Sequence, residues 1–230
     1  MASTTGPNYL EEVSMKKCFF VFFLLSFALH ARNYTYTEHF PVLPQPWYFP
    51  YGNGMDVGPG GNIYLVHSSN RVSVFTPDGI FLRQYKFYWD AGYGSIYRSL
   101  RAIAVDPSGF MYLGDAGEHK ILKVDPKGNI VNKIYFFAER GDLETDAQGN
   151  LYFADTNAND GLPGPMNPTI IKFDPQGNVI LSFITTSDPE GMGLDGQGNI
   201  YVADGKIYKF DPQGNFLWSF GEYGENPGQL

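Results

Sequence analysis

The chain writes one short pattern four times. Its clearest copies are Met192-Gly193-Leu194-Asp195-Gly196-Gln197-Gly198-Asn199-Ile200-Tyr201-Val202-Ala203-Asp204 and Ile103-Ala104-Val105-Asp106-Pro107-Ser108-Gly109-Phe110-Met111-Tyr112-Leu113-Gly114-Asp115. The other copies are centred on Tyr152 and Tyr64, which places the four tyrosines 48, 40 and 49 residues apart. A second turn follows each copy: Thr76-Pro77-Asp78-Gly79, Asp125-Pro126-Lys127-Gly128, Asp174-Pro175-Gln176-Gly177 and Asp211-Pro212-Gln213-Gly214. Short strands recurring at about 40–50 residues predict an all-β chain folded as a β-propeller of four-stranded antiparallel blades.

The turns explain why strands form where they do. Aspartate in the first position accepts bonds from nearby backbone N–H groups. Proline in the second presets φ near −65°, and glycine in the fourth takes the positive φ that keeps the hairpin twist. Each repeat divides into strands a, b, c and d, with these turns linking a to b and c to d. Strand b carries the tyrosine. In its third copy Leu151 and Phe153 point to one face and Tyr152 and Ala154 to the other. Both faces are apolar, so each sheet needs a neighbour on either side.

The pattern Gly-Met/Ile-x-x-Asp-x-x-Gly-Asn-Ile-Tyr-Val-x-Asp, followed by Ile-x-Lys-Phe-Asp-x-x-Gly, resembles the NHL repeat over residues 50–230. The resemblance implies a propeller, most often six-bladed, in a family of binding domains with a few enzymes. Repeats fall at about 50–87, 98–137, 141–184 and 188–221, and residues 222–230 read as the start of a further blade. The expectation is therefore four visible blades of a ring of six. The strand at 33–40 would close the last blade. A ring of four or five blades is the alternative.

At the N-terminus, Met15-Lys16-Lys17 precedes the apolar run Cys18–Leu29, broken only by Ser26, and Ala31 is a suitable last residue before cleavage. Such a run is too short to span a bilayer and reads as a signal peptide over 15–31. Residues 1–14 then form an upstream extension, and 32–230 the propeller domain. A secreted or periplasmic protein with no stable membrane span after signal removal is expected. The single cysteine excludes a disulfide framework, and a net charge of −8 argues against nucleic acid as a partner.

Two enlarged connections are expected on the rim opposite the turns. The d–a loop Lys86–Arg101 carries Tyr88, Trp89, Tyr93, Tyr97, Arg98 and Arg101, and the b–c loop Thr156–Pro168 carries Asn157 and Asp160. Aromatic rings beside arginine suit peptide or sugar ligands, while packing of the loop onto the ring is the plainer use of the same residues. His67, Asp115, Asp155 and Asp204 end strand b and are candidates for a channel-rim site, although capping of the b–c backbone is the favoured role for the aspartates. The histidines lack the spacing of a zinc site, and the Asp195 turn lacks the sixth Gly and twelfth Glu of a calcium loop. Neither a nucleophile elbow nor a phosphate loop is present. The expectation is a binding scaffold for a protein, peptide or glycan, with no catalytic residue, metal or cofactor. The alternative is a lyase or lactonase using a divalent metal at the channel mouth.

Overall fold

A computed structural model describes residues 49, 52–68, 70–90, 95–97, 99–135, 141–155, 169–185 and 189–221. They form four antiparallel four-stranded sheets in propeller arrangement. The first blade holds β1 (Gly52–Val57), β2 (Ile63–His67), β3 (Arg71–Phe75) and β4 (Phe81–Lys86). A two-stranded hairpin of β5 (Tyr88–Asp90) and β6 (Ser95–Tyr97) follows. The second blade holds β7 (Leu100–Val105), β8 (Met111–Asp115), β9 (Lys120–Val124) and β10 (Ile130–Tyr135). The third holds β11 (Gly141–Thr145), β12 (Leu151–Asp155), β13 (Thr169–Phe173) and β14 (Val179–Ile184). The fourth holds β15 (Gly191–Leu194), β16 (Ile200–Ala203), β17 (Ile207–Phe210) and β18 (Phe216–Phe220). Among the described residues the sole helical element is a 3-10 turn at Pro59–Gly61.

The turns behave as their chemistry demands. Asp125 Oδ1 accepts the N–H groups of Lys127 and Asn129, and Asp174, Asp195 and Asp211 repeat this with their own second and fourth neighbours. The first strands of the blades, β1, β7, β11 and β15, follow one another nearest the axis.

Strand b alternation decides the packing. Leu151 and Phe153 join Ala102, Ala104, Tyr112 and Ile121 of the second blade in one core. Tyr152 and Ala154 join Met192, Ile200 and Val202 of the fourth in the next. A third core lies between the first two blades around Val66, Val72, Leu100 and Leu113. Each of the two middle blades is thus one wall of two cores.

Outer strands lock by shape. Tyr85, Ile134 and Phe183 occupy equivalent places on β4, β10 and β14, and each lies against the second-turn glycine of the next blade. A Cβ at Gly214, whose φ is +81°, would sit 2.6 Å from the Phe183 ring. Phe220 holds that place on the fourth blade and is 56% exposed. Beside it, on the face turned away from the third blade, stand Trp218, Lys209 and Tyr201.

The strand expected at 33–40, the signal peptide expected at 15–31 and residues 222–230 lie outside the described residues.

Candidate functional site

Antiparallel strands put the first and second turns on one rim and the b–c and d–a connections on the other. On the connection rim the segment between the first two blades departs from expectation. Expected as an enlarged d–a loop over Lys86–Arg101, it contains a hairpin in which Tyr88 pairs with Tyr97, Trp89 with Ile96 and Asp90 with Ser95. Tyr88, Trp89, Ile96 and Tyr97 are strand-favouring residues, and pairing satisfies backbone groups that a loop would leave to water. Phe87, before the hairpin, is buried and its N–H donates to Asn70 O, which ties the insertion to the first blade. Tyr88 is exposed. Arg101 lies inside β7, not in a loop, with its side chain exposed. Trp89 and Tyr97 are placed by backbone pairing alone. Tyr93, Arg98, Asn157 and Asp160 lie outside the described residues.

The strand b termini stand one strand out from the axis. Asp115 is buried and its Oδ1 accepts the N–H groups of Ser99, Gly117 and Glu118, so it caps the connection between blades. Asp155 is buried and pairs across to Thr169 and Gly141, while Asp204 N donates to Lys206 O in a tight turn. His67 is buried, with Nε2 2.8 Å from Ser73 Oγ and its ring edge-on to Phe49 at 5.0 Å. Burial, and then the charge of Arg71, hold the His67 ring below the ordinary value of 6.5, so it is neutral at physiological pH. No group of three or more His, Cys, Asp or Glu side chains placed to hold a metal ion occurs among the described residues.

Repeat patterns and motifs alone pass over the carboxylates of the inner strands. Asp56 Oδ2 accepts the N–H of Val105 at 2.6 Å, from one blade to the next. Asp142 Oδ2 accepts the N–H of Met192 at 2.8 Å, again across a seam. Glu144 lies two residues along β11 from Asp142. Burial pushes all three carboxyls above their ordinary values, Glu144 furthest, with the charges of Asp56 and Asp142 adding to its shift. The signal was present in the repeats. Counting back from the first turn, Asp56 and Glu144 stand where the other copies carry Ala104 and Gly193, and Asp142 stands where they carry Gly54, Ala102 and Gly191. An acid at a place that otherwise takes only small residues marks a side chain entering a seam.

Comparison with known proteins agrees with this geometry. A protein of unknown function from Bacteroides caccae superposes with a TM-score of 0.55 at 13% identity, covering 73% of this chain and 66% of that one. Virginiamycin B lyase from Staphylococcus aureus gives 0.55 at 17% identity, covering 77% and 57%. The RRP9 WD40 repeats give 0.56 at 12% identity, covering 74% and 50%.

The fold is that of a β-propeller.

At such identities the likeness is one of fold alone. The propeller described here spans between half and two thirds of the length of those structures. No family model matches the chain, and no curated protein matches it. No helix among the described residues is long and apolar enough to cross a membrane.

Proposed function

We propose that this chain is an exported NHL-type propeller, built towards a six-bladed ring, that acts as a binding scaffold for a protein, peptide or glycan held on its connection rim. The observation that supports the reading is the β5–β6 hairpin. It adds two strands to a scaffold that needs none there, it stands on the connection rim, and it carries the exposed Tyr88. A paired insertion holds aromatic rings at low entropic cost, which suits flat ligands. The acidic net charge favours basic or neutral partners over nucleic acid.

The test is a screen of the purified chain on glycan and peptide arrays, repeated with Trp89→Ala and Tyr93→Ala. The reading expects the leading signal to fall about tenfold, near 1.4 kcal/mol, while the melting temperature stays nearly constant. A fall in melting temperature of about 5 °C or more would mark the rings as packing. A stoichiometric divalent metal in the purified protein would favour the lyase or lactonase reading instead.

A further inference from the structure

Three first turns begin with aspartate, at Asp106, Asp146 and Asp195, and one of them is built differently. Asp146 Oδ2 accepts Asn150 Nδ2 at 2.8 Å and Tyr152 Oη at 3.4 Å, and pairs with Lys172 Nζ at 3.1 Å. Asp195 Oδ2 has the same partners from its own blade: Asn199 at 2.7 Å, Tyr201 at 3.2 Å and Lys209 at 3.5 Å. At Asp106 all three partners are diverted. Phe110 replaces the asparagine. Tyr112 Oη donates to Gly149 O at 3.5 Å. Lys123 Nζ donates to Pro175 O at 2.6 Å and lies over the rings of Phe110 and Tyr112.

Asp106 Oδ1 still caps its turn, accepting Ser108 N–H at 2.8 Å and Phe110 N–H at 2.9 Å. Oδ2 accepts no hydrogen bond from any described residue. Yet the residue is only 4% exposed. The small opening that remains is at Oδ2, which faces the turn rim where an incoming charged donor can reach it. Two cavities of the turn rim meet at this residue. One, about 300 Å³, is lined by Val57, Pro59, Val105, Pro107 and Ala147 among others, from the turns of three blades. The other, about 180 Å³, lies between the turns of the second and third blades and includes Lys123, Gly149 and Pro175.

We infer that Asp106 anchors a basic side chain of a peptide partner at the turn rim, the guanidinium or ammonium taking the place that Lys172 and Lys209 take in the other blades. The aliphatic stem would lie along Val105, Pro107 and Ala147. The charge-assisted bond to Oδ2 supplies the orientation. The site is on the rim opposite the β5–β6 hairpin and does not depend on the reading proposed for that hairpin.

The experiment titrates acetyl-Gly-Arg-Gly-amide into isotopically labelled protein and follows the backbone amides of Ser108, Phe110 and Gly149. The same peptide with neutral citrulline is the control. Saturable shifts are expected at these amides, with affinity about tenfold weaker for citrulline and for Asp106→Asn. Phe110→Asn restores the side-chain donor found in five other turns, which shares Oδ2 with the lysine at Asp146 and Asp195, so it should weaken binding without abolishing it. It also reads the site independently if Asp106→Asn folds poorly. Absence of saturable shifts in the wild type, equal affinity for the arginine and citrulline peptides, or undiminished binding by these variants would overturn the inference.

Discussion

Asp56 reaches from the first blade to the second, its Oδ2 accepting the Val105 N–H at 2.6 Å while Oδ1 accepts its neighbour Val57 at 2.6 Å. One carboxylate therefore closes an inter-blade seam that the hydrophobic core alone would leave free to slide. Thr145 Oγ1 donates to Val105 O at 3.0 Å from the other side, so Val105 is held by both neighbouring blades. Asp56→Ala strands the Val105 N–H near the axis. The expected loss is about 1–3 kcal/mol in urea unfolding, with Thr145→Val costing less because a carbonyl is the more easily satisfied partner.

The inner acids fix the direction of the pH dependence. Asp56, Asp142 and Glu144 are raised by burial, so the folded chain binds more protons than the unfolded one between the ordinary values of 3.8 and 4.5 and the raised values. Their contribution to stability falls as pH rises through that window, and the penalty is complete above it. The turn aspartates Asp125, Asp174 and Asp211 go the other way. The side-chain bond from their asparagine neighbour holds them below 3.8, and their support is lost as pH falls through the lowered values. Thermal melts should therefore show greatest stability in mildly acidic buffer. Glu144→Gln should raise the melting temperature at pH 8 by about 2–4 °C and flatten the alkaline side of the profile.

Gly214 tests the outer lock. Its φ of +81°, and a Phe183 ring only 2.6 Å from where a Cβ would stand, leave no room for a side chain. Gly214→Ala should destabilise the fourth blade by about 1–3 kcal/mol. Gly205, with a φ of +55° and nothing within 4 Å, is the control, and alanine there should cost no more than about 1 kcal/mol. Equal losses at the two sites would show that contact with Phe183 contributes nothing.

Among the described residues, the face of the fourth blade turned away from the third should govern association. Tyr112 and Tyr152, each 1% exposed, lie beneath the following blade, whereas Tyr201 is half-buried, and Trp218 and Phe220 are 42% and 56% exposed. Apolar area of this kind promotes association. The double variant Trp218→Ser, Phe220→Ser should bind less of a hydrophobic dye and sediment with less concentration dependence than the wild type. Its melting temperature should change little, because neither ring sits in a core.

Much of the blade was legible before any coordinate. The turn aspartates, the positive-φ glycines and the two-faced strand around Tyr152 act locally, over four or five residues, and their chemistry is written in consecutive letters. The hairpin at Tyr88–Tyr97 was legible as an insertion but not as paired strands, because it lacks a tight two-residue turn that would announce it. Asp115 was legible as a cap because aspartate bonds nearby N–H groups wherever the chain bends.

Sequence alone determined the repeat, the turns and the need of every sheet for two neighbours, since those follow from period, backbone sterics and apolar faces. Tertiary structure decided which polar groups meet. Asp56 finds Val105 across 49 positions, and Asp106 is left without the donors its counterparts possess, because Tyr112 and Lys123 bond to the turns of the following blade. Those outcomes depend on the angle at which one blade stands against the next, a quantity set by the packing of whole sheets and carried by no single residue.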